Sequence, residues 1–160
     1  MYNWIVFLHI ISIFGFLLAH GVSAGVFFAL HRERNPDRIR LLLQMSGGTF
    51  GLMGVSLLVT LASGITLGFM GHWWGRVWIW LSLALLIALY GVMSGLGSRV
   101  LNELRVGLGL PSVYNQPPRP EELTPQELDA IIKRSNPPLL AAVGLSGIAV
   151  IVWLMMFKPF

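Results

Sequence analysis

Four stretches of the chain are uniformly apolar and long enough to cross a lipid bilayer. They lie at about residues 4–30, 48–70, 77–97 and 139–157. A spanning helix requires about 20 apolar residues, and none of these stretches separates an apolar face from a polar one. Helices that are apolar all round belong in lipid or in a core larger than 160 residues can build. Because backbone polar groups in lipid must be satisfied within the chain, the sequence predicts a single all-α domain, an integral membrane four-helix bundle.

The basic residues predict the orientation of this bundle, since cytoplasmic loops are enriched in lysine and arginine. Only Arg76 and Lys158 lie on the side of the predicted termini. The other nine fall in the loop after the first span or after the third span: Arg32, Arg34, Arg38, Arg40, Arg99, Arg105, Arg119, Lys133 and Arg134. We therefore expect both termini on the outer side of a bacterial cytoplasmic (inner) membrane. The net charge of +4 is explained by topology, so we expect no nucleic-acid partner.

Tryptophan side chains prefer the membrane interface, where one edge of the indole is wet. All six lie near the predicted outer ends of the spans, which agrees with the orientation given by the basic residues: Trp4, Trp73, Trp74, Trp78, Trp80 and Trp153.

Two segments extend the bundle on the cytoplasmic side. Asn35 as N-cap and Pro36 at the first helical position predict that the second helix begins before its apolar stretch. In the cytoplasmic loop at about residues 105–136, Thr124 and Glu127 form the pattern of a capping box. The short helix that follows has one apolar face, made by Leu128, Ile131 and Ile132. It is predicted to lie at the membrane interface or against the bundle, or alternatively to dock a partner.

Several classes of chemistry are excluded or disfavoured by what the chain lacks. It has no cysteine, which excludes disulfides, thiolate metal sites and cysteine nucleophiles. No acidic residue falls within a predicted span, which argues against a carboxylate proton relay or a sodium site. No phosphate-binding loop or nucleophile–base arrangement is present, so we assign no catalytic residue and favour a protein that is not an enzyme.

Glycines spaced four residues apart recur in the spans, and such pairs allow helices to approach closely in lipid. They favour tight packing within the bundle, or alternatively a face for a homo-oligomer or a larger membrane complex: Gly21–Gly25, Gly47–Gly51, Gly64–Gly68 and Gly91–Gly95.

Two histidines lie inside the first span and share one helical face. His9 and His20 are eleven residues apart, which is about 16 Å along a helix axis. Matching residues by depth predicts a polar layer of His20 with Ser56, Thr60, Tyr90 and Ser146. A neutral imidazole bonded to a hydroxyl in this layer would only fix helix register.

The alternative function for these histidines is to bind a cofactor, because a neutral imidazole in a bundle is an axial ligand for haem iron. A haem b between His9 and His72 at the outer face is one candidate site. His20 would need a methionine, a water or a neighbouring subunit as second ligand. Met70 and His72 are also candidate ligands for copper(I), with Met155 and Met156 nearby, although ordinary packing would explain the methionines equally.

Several segments carry a resemblance to known proteins: "LHIISIFGFLLAHGVSAGVFF", "HRERNPDRIRLLLQMS", "GHWWGRVWIW" and "WLMMFKPF". They resemble an uncharacterised family of bacterial four-helix integral membrane proteins over nearly the whole chain. More loosely, "LHII" in the first helix is similar to CopD-type copper-resistance proteins and HemJ-type protoporphyrinogen oxidases. The resemblance to the HemJ type implies that His9 is a haem ligand. The chain lacks the further intramembrane histidines and the buried lysine of these groups, which argues against an oxidase or a copper importer.

Two hypotheses for function follow. In the first, the protein is an accessory or assembly subunit of a larger membrane complex. In the second, it is a haem b-binding redox or haem-handling protein that uses His9. Copper handling and small-solute transport are further alternatives.

Overall fold

A computed structural model describes residues 1–117 and 119–160, and every regular element in this part of the chain is helical. Pro118, within the predicted cytoplasmic loop, lies outside the described residues. The helices are α1 (Tyr2–Leu30), α2 (Pro36–Met70), α3 (Val77–Met93), α4 (Arg99–Gly107), α5 (Pro125–Arg134) and α6 (Pro137–Phe157). Four helical segments are long and apolar enough to cross a membrane. The prediction of an all-helical, multi-pass membrane protein is confirmed.

Helix α2 begins at Pro36, as its cap predicted. Asn35 Oδ1 accepts a hydrogen bond of 2.9 Å from the backbone N–H of Asp37, and Pro36 occupies the first turn. The helix is therefore 35 residues long and extends well before its apolar stretch at about 48–70. The predicted capping box of α5 is also present, with Thr124 and Glu127 bonding each other's backbone N–H groups.

Helices α3 and α4 form one rod joined by a π-helical turn at Ser94–Ser98. The sequence of this turn, "SGLGS", has only one large side chain. Serine and glycine are weak helix formers, which makes a local change of helical pitch inexpensive here. The predicted span at about 77–97 ends inside this turn, whereas the helical rod continues to Gly107.

Helix α1 packs along α2, and α3 packs along α6. Tyr2, Trp73 and Lys158 line one cavity, so both chain termini lie beside the α2–α3 connection. We call this the terminal end of the bundle. The opposite end, which carries α4, α5 and the α1–α2 connection, we call the arm end.

The main apolar core lies at the arm end. It is built from side chains of α1, α2, α4, α5 and the 108–124 segment: Val26, Phe27, Leu30, Ile39, Leu43, Leu101, Leu104, Leu108, Leu123, Leu128, Ile131 and Ile132. The apolar face of α5 is thus buried within the protein's own bundle, as one of the sequence-based alternatives expected. Burial of each such aliphatic side chain from water is worth about 1.5–3 kcal/mol, which explains why α5 is held in place.

A buried arginine, Arg105, forms a hydrogen bond from α4 to α2 at the arm end. The Arg105 side chain is only 8% exposed. Its Nη1 donates a 2.6 Å hydrogen bond to the Leu43 carbonyl, and its Nε donates to the Pro111 carbonyl at 3.1 Å. Gly47 makes this possible, because a methyl group there would overlap the guanidinium.

Candidate functional site

A seam of small hydroxyl side chains runs between α1 and α2. Ser12 Oγ donates to the backbone carbonyl of its own helix at His9 and lies 2.8 Å from Thr60 Oγ1 on α2. Further toward the arm end, Ser23 Oγ lies 3.4 Å from Ser46 Oγ. Hydroxyl pairs of this kind satisfy each other and bring helices together where lipid supplies no hydrophobic drive.

His9 is anchored in this seam through one ring nitrogen. Its Nδ1 lies 3.0 Å from the Thr60 carbonyl oxygen and 3.0 Å from Ser63 Oγ. A carbonyl can only accept a hydrogen bond, so in the neutral ring Nδ1 carries the proton and Nε2 carries the lone pair. Gly64 leaves space for the ring, since a Cβ there would lie 3.1 Å from His9 Cε1.

His9 lines a cavity of about 380 Å³ at the terminal end, which we call the terminal cavity. A volume of this size lies within the range of small-molecule and cofactor sites, roughly 300–1,000 Å³. Its walls are mostly apolar side chains from α1, α2, α3 and α6. His9 Nε2 has no hydrogen-bond partner among residues 1–117 and 119–160. The imidazole therefore offers an unused lone pair in an apolar cavity.

Trp74 and Lys158 line the same cavity. Trp74 Nε1 is buried and has no partner in the part of the chain that the structure describes. The Lys158 ammonium lies 4.0 Å from the centre of the Trp73 ring and 5.8 Å from that of Trp78, which is cation–π geometry. The Lys158 side chain is solvent-exposed, whereas the Trp74 indole nitrogen is covered by protein atoms and does not reach the cavity surface.

A second cavity, of about 410 Å³, lies toward the arm end and is lined by His20. We call it the arm cavity. The His20 ring is parallel to Phe16 with centroids 6.1 Å apart. Its Nε2 points at Gly144 of α6, where a Cβ would lie only 3.2 Å away. Met93 reaches the same glycine, and a Cβ there would lie 3.6 Å from the Met93 methyl carbon.

The predicted polar layer around His20 is divided between different parts of the bundle. Tyr90 lines the arm cavity with His20 but is 58% exposed. Ser56 and Thr60 lie in the α1–α2 seam, and Ser146 is exposed and bonds its own helix. Matching by depth failed for Thr60, which lies level with Ser12 and His9, eight and eleven residues before His20 on α1.

His72 and Met70 lie outside the terminal cavity. His72 adopts a left-handed backbone conformation, with φ of 54°, in the exposed turn before Trp73. Met70 is 42% exposed. The structure does not bring His72 to His9, whereas Met155 and Met156 do line the cavity with His9. Within the described ranges, no cluster of three or more histidine or carboxylate side chains forms a metal site.

Sequence reasoning did not find two residues that line the terminal cavity, Trp74 and Lys158. Their presence in one cavity depends on how α6 ends beside the α2–α3 connection, which no local signal shows. The helical period did place Ser63 on one face of its helix with Ser56 and Thr60, although it did not link Ser63 to His9.

No family model, curated protein or solved structure matches the chain.

Proposed function

We propose that this protein binds haem b in the terminal cavity, where His9 Nε2 would hold the iron. The observation that carries the proposal is the anchoring of His9 Nδ1 by Thr60 and Ser63. Metal-ligating histidines typically donate their other ring N–H to a carbonyl or carboxylate, which orients the ring and makes the ligand more basic. A bound haem would supply electron-transfer chemistry or be cargo for haem handling.

The cavity residues fit such a cofactor in three respects. Apolar walls suit the porphyrin ring, and the free lone pair of His9 suits the iron. Met155 and Met156 line the same cavity and would offer thioether groups to a bound haem. His72, exposed on its turn, is not included in the proposed site.

The distribution of charge supports an orientation with the terminal end outward. The basic residues of α4, α5 and the α1–α2 connection belong to the arm end, which the positive-inside rule assigns to the cytoplasm. The proposed haem site then lies in the outer half of a bacterial cytoplasmic membrane.

An accessory-subunit role relied on two docking elements, the small-residue faces of the spans and the cytoplasmic arm. No atom lies within 4 Å of a Cβ built on Gly21, Gly25, Gly91 or Gly95, so these glycine faces are uncovered within the described chain. The cytoplasmic arm gives the role less support. The apolar face of α5 is instead buried against the protein's own core, with Leu128, Ile131 and Ile132 each less than 9% exposed.

The absorbance spectrum of protein purified in detergent after reconstitution with haem b tests the proposal. Wild type should show a Soret band that is lost in His9→Ala. His72→Ala and His20→Ala are matched controls and should keep the band, because neither residue lines the terminal cavity. Ser63→Ala should weaken haem affinity by about 10- to 100-fold, the usual cost of removing a group that orients a ligand. A wild-type protein that binds no haem, or a His9→Ala variant with an unchanged band, would refute the proposal.

A further inference from the structure

We propose that the arm cavity binds the ring of an uncharged, lipid-soluble quinone, with His20 as the hydrogen-bonding partner of one ring oxygen. This site uses a different histidine and a different cavity from the proposed haem site, so either proposal can fail without the other.

The His20 imidazole has no hydrogen-bond partner for either ring nitrogen among residues 1–117 and 119–160. Neither nitrogen is fully covered by protein atoms, and Nε2 points inward at Gly144, which is buried. A neutral imidazole carries one N–H donor and one acceptor lone pair. Because polar groups inside a membrane bundle are normally bonded, the free ring indicates a partner from outside the chain.

A second set of unpartnered polar groups lies in the π-helical turn at Ser94–Ser98. Ser94 and Ser98 line the arm cavity, and in the described part of the chain neither hydroxyl has a hydrogen-bond partner. In contrast, Ser82 of the same rod donates to the carbonyl four residues earlier. Turns of π-helix are frequent at functional sites. Since His20 belongs to α1 and the two serines belong to the rod of α3 and α4, the two sets can bond different oxygens of one ligand.

The other walls of the arm cavity define the kind of ligand. Within the described residues no Asp, Glu, Lys or Arg lines the cavity, so a charged ligand would find no counter-charge there. Phe16, Phe27 and Phe50 line it, and aromatic side chains pack well against a flat ring. The volume of about 410 Å³ lies within the range of small-molecule sites. The cavity therefore suits an uncharged flat ring that carries hydrogen-bonding oxygens.

One edge of the arm cavity reaches the lipid-facing surface. Leu58 and Tyr90 line the cavity, are 68% and 58% exposed, and belong to membrane-spanning segments. A ligand that enters by this edge comes from the bilayer. Isoprenoid quinones combine solubility in lipid with a flat ring and two ring oxygens. The oxidised ring can accept a hydrogen bond from the His20 N–H, and the hydroxyl of the reduced ring can donate one to the His20 lone pair.

Menadione and 2-methylnaphthalene are matched probes, because they share one flat ring system and only menadione has the two carbonyl oxygens. The chain has no cysteine, so menadione cannot add to a thiol. Haem-free, detergent-solubilised protein with ¹⁵N-labelled histidine is titrated with each probe, at equal mole fraction in the micelle, and followed by NMR. Menadione should shift the His20 resonances and leave those of His72 unchanged. Wild type should bind menadione at least about fivefold more tightly than 2-methylnaphthalene.

Variants assign this preference to the polar groups of the cavity. His20→Leu should bind the two probes with similar affinity, whereas His20→Gln keeps an amide donor and should retain part of the preference. Ser94→Ala combined with Ser98→Ala should lower menadione affinity by about fivefold. His72→Leu is the matched control, because His72 lines neither cavity, and it should bind both probes as wild type does. Circular dichroism checks that each variant is folded.

Equal affinity of wild type for the two probes would show a cavity that accepts any apolar molecule, such as a lipid chain, and would overturn the proposal. Binding of neither probe would also overturn it, as would a menadione preference that persists in both His20→Leu and the double serine variant. If the variants do not fold, the wild-type spectra decide, and menadione binding without a shift of the His20 resonances would refute the assignment.

Discussion

Substitution of Gly47 by alanine should destabilise the protein through one side chain, Arg105. The new Cβ would lie 2.6 Å from Arg105 Cζ and 2.9 Å from Nη2. Those distances are too short for non-bonded atoms, so the guanidinium must withdraw from its position against α2. It then loses the hydrogen bond from Nη1 to the Leu43 carbonyl.

The size of the effect follows from two opposing terms. A hydrogen bond made by a charged group contributes about 1.5–3 kcal/mol. Replacing glycine by alanine inside a helix gains about 1 kcal/mol. The net loss for Gly47→Ala should therefore be about 0.5–2 kcal/mol. Gly48→Ala is the matched control, because no atom lies within 4 Å of its new Cβ. This variant should show only the gain in helix propensity.

Unfolding in mixed micelles at increasing denaturing-detergent fraction, followed by far-ultraviolet circular dichroism, measures the difference between the two variants. We expect Gly47→Ala to be less stable than Gly48→Ala by about 1.5–3 kcal/mol. In an Arg105→Met background the penalty of Gly47→Ala should shrink toward the Gly48→Ala value, which is a double-mutant cycle. Equal stability of the two alanine variants, or a penalty that persists without Arg105, would show that the contact has no energetic role.

Three further predictions concern other parts of the chain. The Glu33 carboxylate accepts hydrogen bonds from the backbone N–H groups of the next two residues, which hold the pKa of Glu33 below its ordinary value. These bonds therefore stabilise the fold above the ordinary pKa, and their contribution is lost as pH falls through the lowered pKa of the folded state. Glu33→Gln should reduce the fall in melting temperature at acidic pH, and a fall as large as in wild type would contradict this. Asn102 is buried, and its side chain forms hydrogen bonds with three groups in residues 112–116. Asn102→Leu should lower the free energy of unfolding by about 1–3 kcal/mol and speed hydrogen exchange in that segment. Unaltered exchange would count against this role. Gly144→Ala should displace the His20 ring and shift its imidazole ¹⁵N resonances while those of the other histidines stay, and identical spectra would show that the ring does not touch this glycine.

Helix ends and spans were predictable because their signals are local. Asn35 and Pro36 start α2, and Thr124 with Glu127 starts α5, through contacts within four residues of sequence. The lengths of the apolar stretches sufficed to predict four spanning segments. No long-range information is needed for either inference.

The orientation of each helix about its own axis could not be predicted in the same way. The spans are apolar all round, so periodicity does not show which face meets which neighbour. The register of α1 against α2 was not predictable from the centres of the spans either, and Thr60 lies level with His9 and Ser12 although matching by depth suggested His20. Arg105 was counted among the cytoplasmic charges, and its insertion against Leu43 depends on a glycine 58 positions earlier, at 47.

The pairing of α1 with α2 and of α3 with α6 has a consequence for access to the interior. Side-chain hydrogen bonds between the two pairs occur, within the described residues, only at the arm end, through contacts such as Arg105 with Leu43 and His31 with Ser135. Among the described residues, no side-chain hydrogen bond joins the terminal half of α1 to that of α6. Splaying these halves apart breaks no polar contact, so a hydrophobic molecule dissolved in the bilayer would enter sideways between α1 and α6, without passing through water.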